Sequence, residues 1–400
     1  MVPTFILTMW LLGLLSAAIL AGAIYLGHEW YARSWGWDDQ LQRSIFAPDF
    51  GWNEPTWFFL GALLLVLIAV AGGPMLKAIL RLTMKSGDEP ETFSIKPNGE
   101  QRLRRTDGSE LQVKMYGAVE APPLVLTHGW GLNSDEWVYA VHQWARHFRV
   151  IVWDEAGLGD SQRPANRDFS LDKMAHDLKA VLELAGDQPA ILIGHSIGGM
   201  INLTFCRLFP EILGTRVSGL VLTHTTYTNP VRTTQGAGFL TAIEKPVLVP
   251  LMYLTIALAP LVWLMNWLSY RNGSAHLSNM KSSFAGTETW EQVDFSARFQ
   301  LQAPPGVLAR GMLGMMAYDA TTVLKTITVP TLVVAGDKDS TCKPEASERM
   351  SRDIPQARLI TLSPARHLGL IEHHERYAQA IYDFARAGET AAAFPKAVFA

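Results

Sequence analysis

The chain has almost no cysteine. Cys206 and Cys342 are the only two in 400 residues, which excludes a disulfide framework and fits a reducing compartment. No Cys/His pair has zinc-type spacing, so neither a metal nor a cofactor is expected. Charge is also sparse: 18% of residues are charged, with 34 Lys and Arg against 37 Asp and Glu. Without a dense Lys/Arg block interleaved with aromatics, nucleic acid has no electrostatic footprint here. Internal repeats and low-complexity tracts are absent as well, which excludes repeat architectures.

What the chain does have is apolar sequence, at 48% hydrophobic residues, high for a wholly soluble protein. Residues 4–27, TFILTMWLLGLLSAAILAGAIYLG, carry no charge and are long enough to cross a bilayer; so is TWFFLGALLLVLIAVAGGPML at 56–76, which stops at Lys77. A cleaved signal peptide is the alternative for the first run, because Ala21-Gly22-Ala23 mimics a cleavage site. Yet no Lys or Arg precedes the run, and it is longer than a signal core. Trp30, Trp35, Trp37, Trp52 and Trp57 between and beside the runs suit the headgroup layer. That loop has only Arg33 and Arg43, whereas Lys77, Arg81, Lys85, Lys96, Arg102, Arg104 and Arg105 follow the second run. Two transmembrane helices, about 4–27 and 56–80, are therefore expected to form a hairpin over 1–81 in an integral membrane protein, with the chain after it cytoplasmic.

Residues 82–101, broken by Gly87, Pro90, Pro97 and Gly99, read as a linker. After it ELQVKMYG, PLVLTH, RVIVWD, AILIGH, GLVLTH, PTLVVAG and ARLITL alternate with amphipathic stretches. Short branched runs of this kind predict an α/β domain, a mostly parallel sheet with helices on both faces.

The chemistry-bearing residues stand at the ends of these runs. Gly194-His195-Ser196-Ile197-Gly198-Gly199 lies between the strand AILI and a helical stretch. A Gly-x-Ser-x-Gly turn there holds the serine strained and exposed, with the free N–H groups of a helix start beside it. A serine hydroxyl needs a base to take its proton, and the base needs an acid to hold its tautomer. Both kinds of residue follow in order: Asp337 and Asp339 after PTLVVAG, and His367 in the loop after ARLITL. Upstream, His128-Gly129-Trp130-Gly131 ends the strand PLVLT, where small residues let backbone N–H groups approach a developing oxyanion. The expected donors are the N–H groups of Trp130 and Ile197, each such donor being worth about 2.7–4 kcal/mol in the transition state.

In this order the motifs resemble the α/β-hydrolase superfamily, its serine esterase and lipase branch, over about residues 102–387. The resemblance implies an α/β-hydrolase fold with an inserted helical cap and a triad of Ser196, Asp339 and His367. The family places its acid at the fourth position of Gly-x-x-Asp, which is Asp339 and leaves Asp337 as a turn cap. Relatives with an aspartate nucleophile, the dehalogenases and epoxide hydrolases, fit less well because Ser196 occupies that position. Asp154–Ser161, DEAGLGDS, resembles the family's structural turn; Arg366 departs from the Gly that commonly precedes the histidine. His373 and His374 are expected in solvent, His128 and His195 in structural hydrogen bonds, and Cys342 as an ordinary free thiol.

Between GLVLTH and the next strand lie about a hundred residues, too many for an ordinary connection. Core segments are expected over 102–226 and 326–388, the cap over 227–325 and a tail over 389–400. The cap contains VLVPLMYLTIALAPLVWLMNWL, residues 247–268, which is long enough to span a membrane. Ser196 precedes this run, while Asp339 and His367 follow it; a single crossing would put them on opposite sides and cut the sheet. It is therefore expected to form cap helices broken near Pro250 and Pro260, with Trp263 and Trp267 available to an interface. Met312, Leu313, Met315 and Met316 could line an acyl pocket or belong to the core. The expected activity is hydrolysis of a carboxylic ester, its partners a lipophilic substrate and the bilayer. Acyl transfer or perhydrolysis from the same acyl-enzyme, and a silent binding protein on this fold, are the alternatives.

Overall fold

The structure is a computed structural model that describes residues 4–389, so the tail expected over 389–400 lies, past Glu389, outside the described residues. The chain divides into two compact units. One is built from Thr8–Thr83 and Pro260–Ser278, the other from the chain up to Leu7, which opens the first helix, with Met84–Ala259 and the chain from Asn279 on.

The smaller unit contains the two apolar helices, α1 (Thr4–Arg33) and α2 (Glu54–Leu80). Asn53 starts α2 by accepting a hydrogen bond from the Thr56 N–H, and Pro55 occupies the first turn, where a missing N–H costs nothing. An antiparallel hairpin, β1 (Trp35–Asp38) with β2 (Arg43–Phe46), joins the helices. Aromatic rings gather at this end, Trp30 lying 5.8 Å from Phe46 and 5.0 Å from Phe59. Both helices leave large apolar side chains uncovered, among them Leu14, Ile24, Leu64 and Val70. Within the same unit Ser16 Oγ on α1 meets Ser269 Oγ at 3.1 Å and accepts a hydrogen bond from Asn272 Nδ2 at 2.8 Å.

The larger unit is organised by one eight-stranded sheet. Its strands are β3 (Gly99–Arg104), β4 (Glu110–Tyr116), β5 (Pro123–Thr127), β6 (Arg149–Trp153), β7 (Ala190–His195), β8 (Val217–Thr223), β9 (Thr331–Gly336) and β10 (Ala357–Leu362). They lie in the order β10-β9-β8-β7-β5-β6-β4-β3. From β6 and β5 to β10 neighbours run parallel; β4 pairs antiparallel with both β3 and β6. Strands β5 and β7 are buried along their whole length, as branched apolar runs covered on both faces should be. The chain order reverses at β5, and the carboxyl ends of β5 and β7 there form the crevice where open α/β sheets bind ligands. Strand β3 was not legible as a strand. Its sequence GEQRLR is polar because it forms the sheet edge with its side chains largely in solvent.

The run 247–268 divides into the helices Val249–Ala257 and Ala259–Arg271, and the break falls at Leu258, two residues before Pro260. Pro250 sits in the first turn of its helix, so it breaks nothing there. Instead a π-helical turn, Glu244–Leu248, links that helix back to Ala237–Ile243. The resulting Ala237–Ala257 stretch is, with Phe5–Arg33 and Glu54–Leu80, one of three described helices long and apolar enough to cross a membrane.

Candidate active site

Ser196 stands between β7 and the helix Ile197–Leu208 with φ 53° and ψ −114°, a conformation that an L-residue holds only under constraint. The constraint is steric. A Cβ on Gly194 would fall 2.3 Å from the Gly198 carbonyl carbon, and one on Gly198 would fall 2.2 Å from the Thr127 carbonyl oxygen. Only glycines let β7, the turn and the end of β5 come this close. The Thr225 hydroxyl donates to the Ser196 carbonyl at 2.5 Å and ties the turn to the segment after β8.

The loops after β9 and β10 bring the acid and the base to this turn. His367 Nε2 lies 3.0 Å from Ser196 Oγ, and His367 Nδ1 lies 2.9 Å from Asp339 Oδ2. Asp339 Oδ1 accepts from the N–H groups of Thr341 and Cys342, at 2.8 and 3.0 Å, which fixes the carboxylate plane. Burial alone would raise the Asp339 carboxyl, but the His367 and His224 rings beside it outweigh burial and hold it well below its ordinary value. For His367 burial wins over the attraction of Asp339 and lowers the ring to about 3, leaving it a free base at neutral pH. Asp337 instead braces the loop, accepting from Ser363 Oγ and the Ala365 N–H, both at 2.8 Å.

Trp130 follows β5, wholly buried, its indole N–H donating to the Leu308 carbonyl at 3.0 Å and its ring 6.3 Å from that of Phe169. Gly131 next to it has a positive φ of 77°. Ile197 is the first residue of its helix, so its N–H is among those the helix cannot use. His128 Nε2 accepts from the Glu155 N–H at 2.9 Å, so its Nδ1 carries the proton and donates to the Gly129 carbonyl, also at 2.9 Å. His195 bonds the His367 carbonyl oxygen through Nε2 and Glu136 through Nδ1, both at 3.1 Å. In Asp154–Ser161 the Ser161 hydroxyl donates to the Asp154 carbonyl at 2.7 Å and accepts from the Gln112 N–H at 2.8 Å, a purely structural brace.

One expectation needs correction, and two residues of the site were not among those expected. His373 and His374 are half-buried rather than solvated, because the last helix packs on Val138–Trp144: His373 Nε2 donates to the Pro364 carbonyl at 2.6 Å and His374 stacks on Tyr139 at 3.9 Å. The methionines divide: Met312 and Met315 are core, with Leu313 and Met316 half-buried. The unexpected residues are Glu136 and His224, the latter with Nδ1 3.3 Å from Asp339 Oδ2. Their one sequence signal is proximity to strand ends. Both cysteines are buried and their thiols pushed up by burial, so they are inert.

A strained serine on a tight strand-to-helix turn, with an acid and a histidine delivered by the last two strands, defines a class of hydrolase. The chain belongs to the alpha/beta hydrolase fold family, whose model matches residues 122–374. It is 26% identical over 275 residues, 67% of this chain and 95% of the relative, to RutD, a candidate carbamate hydrolase of Pseudomonas savastanoi pv. phaseolicola. Lipase 3 of a Moraxella species is 25% identical over 286 residues, 68% of this chain and 79% of its own. Among solved structures, a thermophilic esterase from Thermogutta terrifontis superposes with a TM-score of 0.59 at 27% identity, covering 72% of this chain and 99% of that one. None of these three alignments extends to the whole of the chain.

Proposed function

We propose that this is a membrane-anchored serine hydrolase that cleaves a lipophilic carboxylic ester through an acyl-enzyme on Ser196. Hydrolysis of the esterase and lipase type is supported by family membership and by relatives such as Lipase 3 and the Thermogutta esterase. The observation that carries the serine chemistry is the hydrogen-bond chain Ser196 Oγ, His367, Asp339, at 3.0 and 2.9 Å. Ser196 Oγ bonds the ester carbonyl carbon as His367 Nε2 takes its proton, and Asp339 holds the imidazolium that forms. The N–H groups of Trp130 and Ile197 receive the oxyanion. When the ester C–O bond breaks, the proton passes to the leaving alcohol; water, deprotonated by His367, then releases the acid.

Anchoring is supported by α1 and α2, whose uncovered leucines, isoleucines and valines suit lipid rather than water. A lipophilic substrate is supported by Ala237–Ala257, which lies in the chain between β8 and β9 and exposes Phe239, Tyr253 and Leu254. Contact of this helix with the leaflet would admit substrate from the lipid. The test is fluorophosphonate labelling and ester hydrolysis by the detergent-solubilised chain. Ser196→Ala is expected to abolish both, and full labelling of that variant would end the proposal.

A further inference from the structure

We propose that Glu136 and His195 are positioning residues, with Glu136 protonated at neutral pH, and that they tie the oxyanion loop to the histidine loop through a chain of neutral hydrogen bonds. This rests on the triad reading above and extends it to two residues that touch neither the ester nor Ser196 Oγ.

Both side chains are buried, Glu136 at 2% exposure and His195 at 0%. At one end the Gly129 N–H donates to the Glu136 carboxyl at 3.2 and 3.3 Å, one residue from Trp130. In the middle Glu136 Oε2 meets His195 Nδ1 at 3.1 Å; at the other end His195 Nε2 meets the backbone carbonyl oxygen of His367 at 3.1 Å. A carbonyl oxygen only accepts, so Nε2 must carry the hydrogen. Nδ1 then either accepts from a protonated Glu136 or belongs to an imidazolium beside a carboxylate.

The surroundings decide between these. An ion pair here would bury two charges, with the Gly129 N–H as the one further donor to the carboxylate among the described residues, a poor exchange for lost hydration. The other groups interacting with Glu136 are His128, Glu155 and, more remotely, Tyr377. His128 accepts the Glu155 N–H at Nε2 and is therefore neutral. Asp154, whose carboxylate accepts from the N–H groups of Ser134 and Asp160, acts on Glu155. The Glu155 carboxyl oxygens are buried and have no hydrogen-bond partner among the described residues. Around His195 stand the rings of His367 and His224, at 5.1 and 6.1 Å. An anion at Glu136 or a cation at His195 would thus stand in a buried site with little to replace its hydration. Consistently, burial drives Glu136 up to about 8 against the opposing pull of the Gly129 N–H, and burial followed by His224 drives His195 well below its ordinary value.

The chain joins the backbone that presents one oxyanion donor to the backbone that carries the base. Losing a link lets either loop drift, and a displacement near 1 Å costs up to about 100-fold in rate.

Glu136→Gln separates the two protonation states, because its NH2 donates to His195 while its C=O accepts from Gly129, mimicking the acid but unable to ionise. In full-length solubilised protein, we expect E136Q to keep kcat within about threefold at pH 7, whereas Glu136→Leu loses on the order of 10- to 100-fold in kcat with little change in KM. We expect wild-type kcat/KM to decline as Glu136 ionises near pH 8 and this decline to be missing from E136Q. E136Q as impaired as Glu136→Leu, or a wild-type decline retained in E136Q, overturns the proposal. Should Glu136→Leu fail to fold, infrared difference spectra of wild type against E136Q at pH 7 decide: a protonated-carboxyl band unique to wild type supports the proposal, and its absence overturns it. That band is independent of Ser196, so activity surviving in Ser196→Ala would overturn the triad reading separately.

Discussion

His367 approaches Asp339 Oδ2 at 2.9 Å and His224 approaches the same oxygen at 3.3 Å, so one buried carboxylate faces two imidazoles. Asp339 stays ionised despite its burial because of them, and burial keeps His367 unprotonated down to about pH 3. The base must be neutral to take the Ser196 proton, so the acid limb of kcat/KM is expected below pH 6.5, the ordinary imidazole value. A rate profile already falling by half at pH 6.5 would contradict this. Stability has the same sign. Below pH 6.5 the unfolded chain protonates this histidine while the folded one does not, so stability is lost as pH falls from 6.5; the depressed Asp339 adds a further loss as pH falls below 3.8. Asp339→Asn can keep the contact but donates where it should accept, leaving His367 in the wrong tautomer. By the logic of acid–base triads kcat is expected to fall about 10⁴-fold with the fold intact, measurable by ester turnover beside circular dichroism.

At the scale of elements, the site depends on β5, the β7 turn and the helix Ile197–Leu208 approaching more closely than side chains permit. A Gly198→Ala methyl would sit 2.2 Å from the Thr127 carbonyl oxygen, so either β5 or the turn must move. Overpacking of this kind typically costs about 1–3 kcal/mol, and a backbone oxygen yields less readily than a side chain. The variant is expected to melt several degrees lower and to lose fluorophosphonate labelling; wild-type labelling would show that the close approach is dispensable. The same tight elements explain what could be read in advance. Seven strands were legible within two residues because branched apolar runs buried on both faces leave a dense signal, and the serine, acid and histidine stand at their carboxyl ends. Strand β3 was hidden by its polar edge position. Glu136 was hidden differently: in SDEW it looks like a solvated acid, and only the folding of its helical turn beneath β5 and β7 removes it from water. His224 closes GLVLTH as an ordinary strand end, and its meeting with Asp339 depends on β8 and β9 being neighbours.

For the whole molecule, connectivity limits how the chain can meet a bilayer. Ser196 comes before Ala237–Ala257, Asp339 and His367 come after it, and all three meet at the carboxyl edge of one sheet. The chain must therefore be on the same side before and after the segment. Ala237–Ala257 is 21 residues and could cross alone, but a return crossing would have to be made by Ala259–Arg271, whose 13 residues reach only about 20 Å of a core about 30 Å thick. The proposed anchoring by two crossings, those of α1 and α2, satisfies this constraint if Ala237–Arg271 does not cross. On the anchoring proposed above, the excess of Lys and Arg after α2 leads us to expect the chain that follows α2 on the cytoplasmic side. Native thiols are buried, so single exposed cysteines introduced at Asp39, Glu100 and Lys281 report sidedness cleanly to a membrane-impermeant maleimide. In intact cells Asp39→Cys is expected to label, while Glu100→Cys and Lys281→Cys label only after permeabilisation. Labelling of Asp39→Cys and Glu100→Cys from the same side would remove the spanning hairpin. Labelling of Lys281→Cys from the side opposite Glu100→Cys would mean that the Ala237–Arg271 region crosses after all, and a triad assembled from both of its flanks could not stand.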